Sequence, residues 1–119
     1  MRYIVKMEWM ITYYNKSVQD EILDMPASFL ARYLRYTDRM EIFGPDLGMP
    51  HTKAMGNGLF ELRLKAADGI ARVFYCTVVN KKIVILHYFI KKTDKTPAKE
   101  FNKATKRMKE YKNADSQRT

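Results

Sequence analysis

The chain holds one cysteine in 119 residues, which rules out an intrachain disulfide framework. That residue, Cys76, lies inside an apolar strand pattern, so a buried structural thiol is expected rather than a reactive one. Histidine is almost as scarce. His51 and His87 are far apart and no H-x-x-x-H or C-x-x-C spacing occurs, so no metal site is expected, and no other cofactor. The glycines form neither a phosphate loop nor a nucleophile elbow, leaving no signature of P-loop or α/β-hydrolase chemistry. No apolar run approaches the roughly 18 residues that cross a bilayer, which argues against a membrane partner. Charge interrupts Met1-Arg2-Tyr3-Ile4-Val5-Lys6 before an apolar signal core can form, and a cytoplasmic protein is expected. Internal repeats and linkers are absent as well.

What is present describes a globular protein. Hydrophobic residues make up 46% of the chain and aromatic ones 13%, too apolar for disorder, while a 29% charged fraction keeps the surface soluble. One core is self-sufficient at this length and two would each be marginal, so residues 1–119 are expected to form a single domain. The net charge of +9 is unevenly spread: residues 1–62 carry seven Lys/Arg against eight Asp/Glu, residues 63–119 fifteen against five. Such an excess attracts a polyanion through salt-sensitive counterion release, with nucleic acid the first candidate and an acidic protein the second.

Alternation from Glu8 to Tyr14, rich in aromatic and β-branched residues, predicts a first strand. Ser17 is placed to cap a short helix with Asp20 and Glu21 in its first turn, Val18 and Ile22 on its inner face, and its end at Met25. Pro26 suits the first turn of a second helix. In it Phe29, Leu30, Tyr33, Leu34, Thr37 and Met40 keep helical spacing, and Arg32, Arg35 and Arg39 fall mainly outside. Gly44-Pro45 stops it. The breakers Gly44, Pro45, Gly48, Pro50 and Gly56 predict a loop over 44–58 with His51 and Lys53 near its middle. Strands are expected at about 59–65, 70–79 and 82–91, joined by hairpin turns at Ala66-Ala67-Asp68-Gly69 and Asn80-Lys81. Thr96-Pro97 reads as an N-cap and first helical position. The final helix then carries Phe101, Ala104, Met108 and Tyr111 beneath Lys99, Lys103, Lys106, Arg107, Lys109 and Lys112, with a frayed tail from about 113. The expected fold is α+β, ordered β-α-α-β-β-β-α, with a mainly antiparallel sheet between two N-terminal helices and one C-terminal helix.

These strands set Arg63, Arg72, Lys91 and Lys92 at the ends or faces of one small sheet, an arrangement that binds phosphate. Phe60, Leu62 and Leu64 alternate with Glu61, Arg63 and Lys65, which predicts a wet charged face opposite the core. Three segments, Gly58-Leu59-Phe60-Glu61-Leu62-Arg63, Arg72-Val73-Phe74-Tyr75 and Phe89-Ile90-Lys91-Lys92-Thr93 before Thr96-Pro97, follow one another with hairpin spacing. In that order they resemble the RelE/HigB superfamily of bacterial toxins, in its HigB-like branch related to phage-derived proteins, over roughly residues 7–112. The resemblance implies a compact ribonuclease that cleaves mRNA in the ribosomal A site without a metal. It also implies a helix-turn-helix antitoxin of the HigA type as partner, and operator DNA bound only through the complex with that antitoxin.

Metal-free RNA cleavage needs a base for the 2′-hydroxyl proton, positive charge on the phosphate and an acid for the departing 5′-oxygen. Arg63 and Arg72 are the candidates for the phosphate, since guanidinium offers a planar fork of donors and stays charged. Lys91 and Lys92 are candidates for proton transfer or charge stabilisation, because crowded cations favour the neutral amine. Lys65, Lys53, His51, Tyr75 and Lys95 are candidate RNA contacts. Glu61 either orients an arginine through an ion pair or makes an ordinary cross-strand pair; Tyr75 and Tyr88 either stack on a base or pack in the core. His51 and His87 supply the minimum for a paired-imidazole mechanism, although His87 alternates with Ile85 and Phe89 as a packed residue would. Two further readings stay open: a basic module that binds RNA, DNA or protein without cleavage, and a phage-derived accessory protein that has lost activity.

Overall fold

The computed structural model describes residues 8–67, 69–91 and 95–117. Two asparagine turns shape its sheet. Asn57-Gly58 joins β2 (Thr52–Gly56) to β3 (Leu59–Ala66), and Asn80-Lys81 lies between β4 (Gly69–Val78) and β5 (Lys82–Lys91). Asn57 and Gly58 have φ 56° and 85°, as a type I′ hairpin requires at its central pair, and in the three-residue second connection Asn80 and Lys81 are also at positive φ, 66° and 55°. Asparagine and glycine tolerate this backbone, whereas Lys81 adopts it without that advantage. The five strands are ordered β1-β5-β4-β3-β2, where β1 (Met10–Tyr13) runs parallel to β5 and the other neighbours are antiparallel.

β2 corrects the loop expected over 44–58. Its four residues before Gly56 show no long alternation, and the breakers in front of them masked a short edge strand; the Asn-Gly pair behind them was the usable signal. The element order is therefore β-α-α-β-β-β-β-α within the same α+β class.

Helix ends also differ from expectation. α1 (Lys16–Leu23) is capped by Asn15, whose side chain accepts from the Val18 amide at 2.8 Å, and not by Ser17, which lies inside the helix. Asp20 accordingly sits four residues after Lys16 and pairs with it at 3.1 Å rather than occupying the first turn. α2 (Ala27–Phe43) starts after Pro26, buries Phe29, Tyr33, Thr37 and Met40, leaves Leu34 exposed, and closes at Gly44 with φ 101°. α3 (Ala98–Gln117) begins one residue after Pro97 and continues through the expected frayed tail. Thr96 does not cap it; its hydroxyl donates to Glu61 at 3.1 Å.

The sheet has a core on each face. Leu62, Leu64, Ala71, Val73, Tyr75, Ile83 and Ile85 pack against Val18, Ile22, Phe29, Tyr33 and Met40 of α1 and α2. On the other face Leu59, Phe74, Cys76, Val84 and Leu86 pack against Ala104 and Met108 of α3, with Phe101 and Tyr111 at the margin. A bulge in the pairing of β4 with β5 falls between Phe74 and Tyr75, whose partners are His87 and Ile85, and lets Leu86 and His87 both serve the α3 side. Cys76 is fully buried there, and burial pushes its thiol up to about 11.

Candidate active site

Directly opposed residues in an antiparallel pair point to the same face, so the register alone builds the site. Three rows cross the α3 side of the sheet: Lys53, Glu61, Phe74 and His87; then Arg63, Arg72 and Phe89; then Lys65, Ile70 and Lys91. The Arg63 amide donates to the His51 carbonyl at 2.8 Å, which places His51 at the end of the second row. α3 covers Phe74 and His87 and stops short of the arginines, so the cationic rows emerge where the helix begins.

The face expected to be wet is half covered. Glu61 is 1% exposed and Arg72 4%, and Arg72 Nη1 donates to Glu61 Oε1. Arg63 Nε reaches the same oxygen at 3.4 Å and remains 27% exposed, while Thr96 satisfies Oε2. Burying a carboxylate is costly unless it is paired and hydrogen-bonded, and Glu61 is both. Its pairing turns the two guanidinium groups into a fixed pair with one member inside and one at the surface. Among the described residues Arg72 Nε is buried and has no hydrogen-bond partner.

These groups open into a cleft of about 530 Å³ lined by Tyr36, Pro50, His51, Arg63, Lys65, Ile70 and Arg72. Lys65 is exposed at its mouth, Lys53 is exposed on β2 beside Glu61, and Lys91 is buried at the end of β5 opposite Ile70. Lys95 is exposed on the connector before α3, and Lys92 lies outside the described residues. Tyr75 points to the other core; it is fully buried against Phe60, its hydroxyl donates to the Pro45 carbonyl, and it presents no ring face to RNA. Tyr88 also packs on that side.

The two histidines do not meet. His51 lines the cleft with its ring 4.6 Å from that of Tyr36, whereas His87 lies beneath α3 with Nε2 3.1 Å from Glu100 Oε2. Burial lowers the pKa of His87 below its ordinary value; Glu100 acts the other way, and Arg107 and Lys103 add to the lowering. Nε2 faces the Glu100 carboxylate, which accepts in this contact. A paired-imidazole reaction has no geometric basis here. Sequence reasoning missed Tyr36, Ile70 and Thr96. Tyr36 adjoins Thr37 of the buried helix stripe and could have been read as its margin; nothing in the sequence signalled Thr96 as a ligand of Glu61.

The described residues have a RelE-like fold. A solved double arginine-to-alanine variant of Escherichia coli toxin RelE, in the free state, superposes with a TM-score of 0.63 at 9% identity, over 85% of this chain and 98% of that one. The archaeal RelE–RelB complex from Pyrococcus horikoshii gives a TM-score of 0.52 at 22% identity over 71% and 96% of the respective chains. A family model described as phage derived protein Gp49-like (DUF891) matches residues 20–109, and the chain belongs to this family. No curated protein gives a significant match.

Proposed function

We propose that this protein is the toxin of a type II toxin–antitoxin module, a cytoplasmic endoribonuclease that cleaves mRNA on the ribosome and is held in check by a helix-turn-helix antitoxin. The observation that carries the reading is the Arg63–Arg72 pair anchored on buried Glu61 at the cleft, with Arg72 Nε unsatisfied among the described residues. Two fixed guanidinium groups suit a phosphodiester whose charge grows during attack. Family membership and the RelE-like fold support the ribonuclease assignment, and RelE solved in complex with RelB supports a protein partner.

In the reaction the 2′-oxygen attacks the adjacent phosphorus, forming a 2′-O–P bond as the P–O5′ bond breaks. The products are a 2′,3′-cyclic phosphate and a 5′-hydroxyl. Arg63 and Arg72 hold the phosphate oxygens through the transition state. Lys91 and Lys92 are assigned to proton transfer, one taking the 2′ proton and one supplying the 5′-oxygen, with Lys65, Lys53 and Lys95 contacting the RNA backbone and His51 contacting the RNA from the cleft wall. Glu61 is a positioning residue, as is His87 through its hold on the start of α3.

Arg63→Ala is the clean test, because Arg63 is the peripheral member of the pair. Induced expression of the wild type is expected to halt growth and produce new mRNA 5′ ends in phase with codons; folded Arg63→Ala is expected to do neither. The same cuts at the same rate from the variant would remove the arginine pair from the mechanism.

A further inference from the structure

Resting on the reading of the cleft as an RNA site, we propose that Tyr36 and His51 form a stacking platform for a nucleobase, that of the nucleotide whose phosphate lies on Arg63 and Arg72. The platform joins two elements distant in sequence, since Tyr36 comes from α2 and His51 from the segment entering β2. Their rings lie 4.6 Å apart with a 39° tilt, and both residues are half-buried. They already touch, so no base inserts between them. A base instead lies on the face they turn to the cleft, which costs little ordering because the rings are held in place beforehand.

The backbone ties this platform to the phosphate clamp. The His51 amide donates to the Gly48 carbonyl at 3.0 Å, and its carbonyl accepts from the Arg63 amide at 2.8 Å, so His51 and Arg63 are neighbours at the spacing of paired strands, about 5 Å. The cleft wall is thereby divided: Tyr36, Pro50, His51 and Ile70 offer ring and apolar surface, and Arg63, Arg72 and Lys65 offer charge. A bare phosphate or an acidic peptide would use the second group alone. A nucleotide uses both, and π-faces accept any base, which makes the subsite a source of affinity before it is one of sequence choice.

Binding to the intact protein separates this proposal from catalysis. Adenosine 3′-monophosphate and ribose 5-phosphate, titrated at low salt, compare the same charge with and without a base. The nucleotide is expected to bind about tenfold more tightly, within the range that stacking on aromatic side chains supplies. Tyr36→Phe should keep that ratio. Tyr36→Leu, which retains apolar bulk, should bring it to about twofold or less without changing the affinity for ribose 5-phosphate, and His51→Ala should reduce it independently should the Leu variant not fold. Arg63→Ala should weaken both ligands alike. Equal wild-type affinities, no nucleotide binding at millimolar concentration, or a ratio that survives both Tyr36→Leu and His51→Ala overturns the platform. If the ratio behaves as expected but induced cells show no mRNA cuts, the toxin reading fails and the platform stands.

Discussion

Arg72 and Arg63 share a carboxylate but answer differently to truncation. Arg72→Ala leaves Glu61 buried without its main partner, and breaking such a pair costs about 3–5 kcal/mol. Arg63 is partly solvated and its hydrogen bond is long, so Arg63→Ala is expected to cost about 1 kcal/mol or less. Urea unfolding of the two variants measures the contrast; equal losses would mean that Glu61 does not depend on Arg72. Arg72 sits on the same face as Arg63, and its burial is what makes it the less tolerant of the two. At His87 the pKa is depressed in the fold, so the unfolded chain binds the proton more readily. Stability is therefore complete above the ordinary histidine value of 6.5 and is lost as the pH falls below it toward the folded value. The groups facing the ring are Glu100, Lys103 and Arg107 from α3 and Phe89 along β5. Between pH 8 and 5 the denaturation midpoint of His87→Gln should fall less than that of the wild type; parallel curves would show that His87 does not titrate in this window.

Element boundaries carry their own test. Asn15 has the capping hydrogen bond and Ser17 does not, so Asn15→Ala is expected to lower stability by about 1 kcal/mol and Ser17→Ala by about half of that or less. The reverse order would move the start of α1 to where sequence reasoning set it. That misplacement has a simple cause: Asn and Ser are both good caps, and only the fold decides which of them has extended backbone, here φ −157° and ψ 176° at Asn15. Long elements were legible for the opposite reason. β3, β4 and β5 lie within a residue or two of their expected ranges, and α2 and α3 bury most of the stripes their spacing marks, Leu34 excepted, because many residues vote on a period while one residue decides an end.

At the scale of the molecule, α3 turns Lys99, Lys106 and Lys109 outward while Ala104 and Met108 hold it to the sheet, and Arg107, expected in the same outer shell, is instead half-buried and donates to the Leu86 carbonyl at 2.8 Å. Under the proposed function this shell meets the ribosomal RNA backbone. Association with ribosomes should weaken steeply with salt, and a Lys99→Ala, Lys106→Ala, Lys109→Ala variant should lower the log–log salt slope by about one for each phosphate that a lysine no longer neutralises. An unchanged slope would put the RNA elsewhere. The proposed chemistry uses guanidinium and ammonium groups, so cleavage on intact ribosomes is expected to persist after EDTA treatment with ribosome integrity controlled; recovery only on return of one divalent ion to the protein would refute it.

By itself the sequence determined the α+β class, the three helices, the three long strands and the cations at their register positions, since all of these follow from local period and turn chemistry. Alternation also showed that Glu61, Arg63 and Lys65 share a face. It could not show what closes over Glu61, because the contact comes from Thr96, thirty-five residues away in sequence on the connector before α3. Only the tertiary structure buried Glu61 and Arg72, brought Thr96 to the carboxylate and set Tyr36 against His51. Each of those pairings joins separate elements, and no local pattern records the meeting of two chain segments whose distance is set by how a whole sheet packs between its helices.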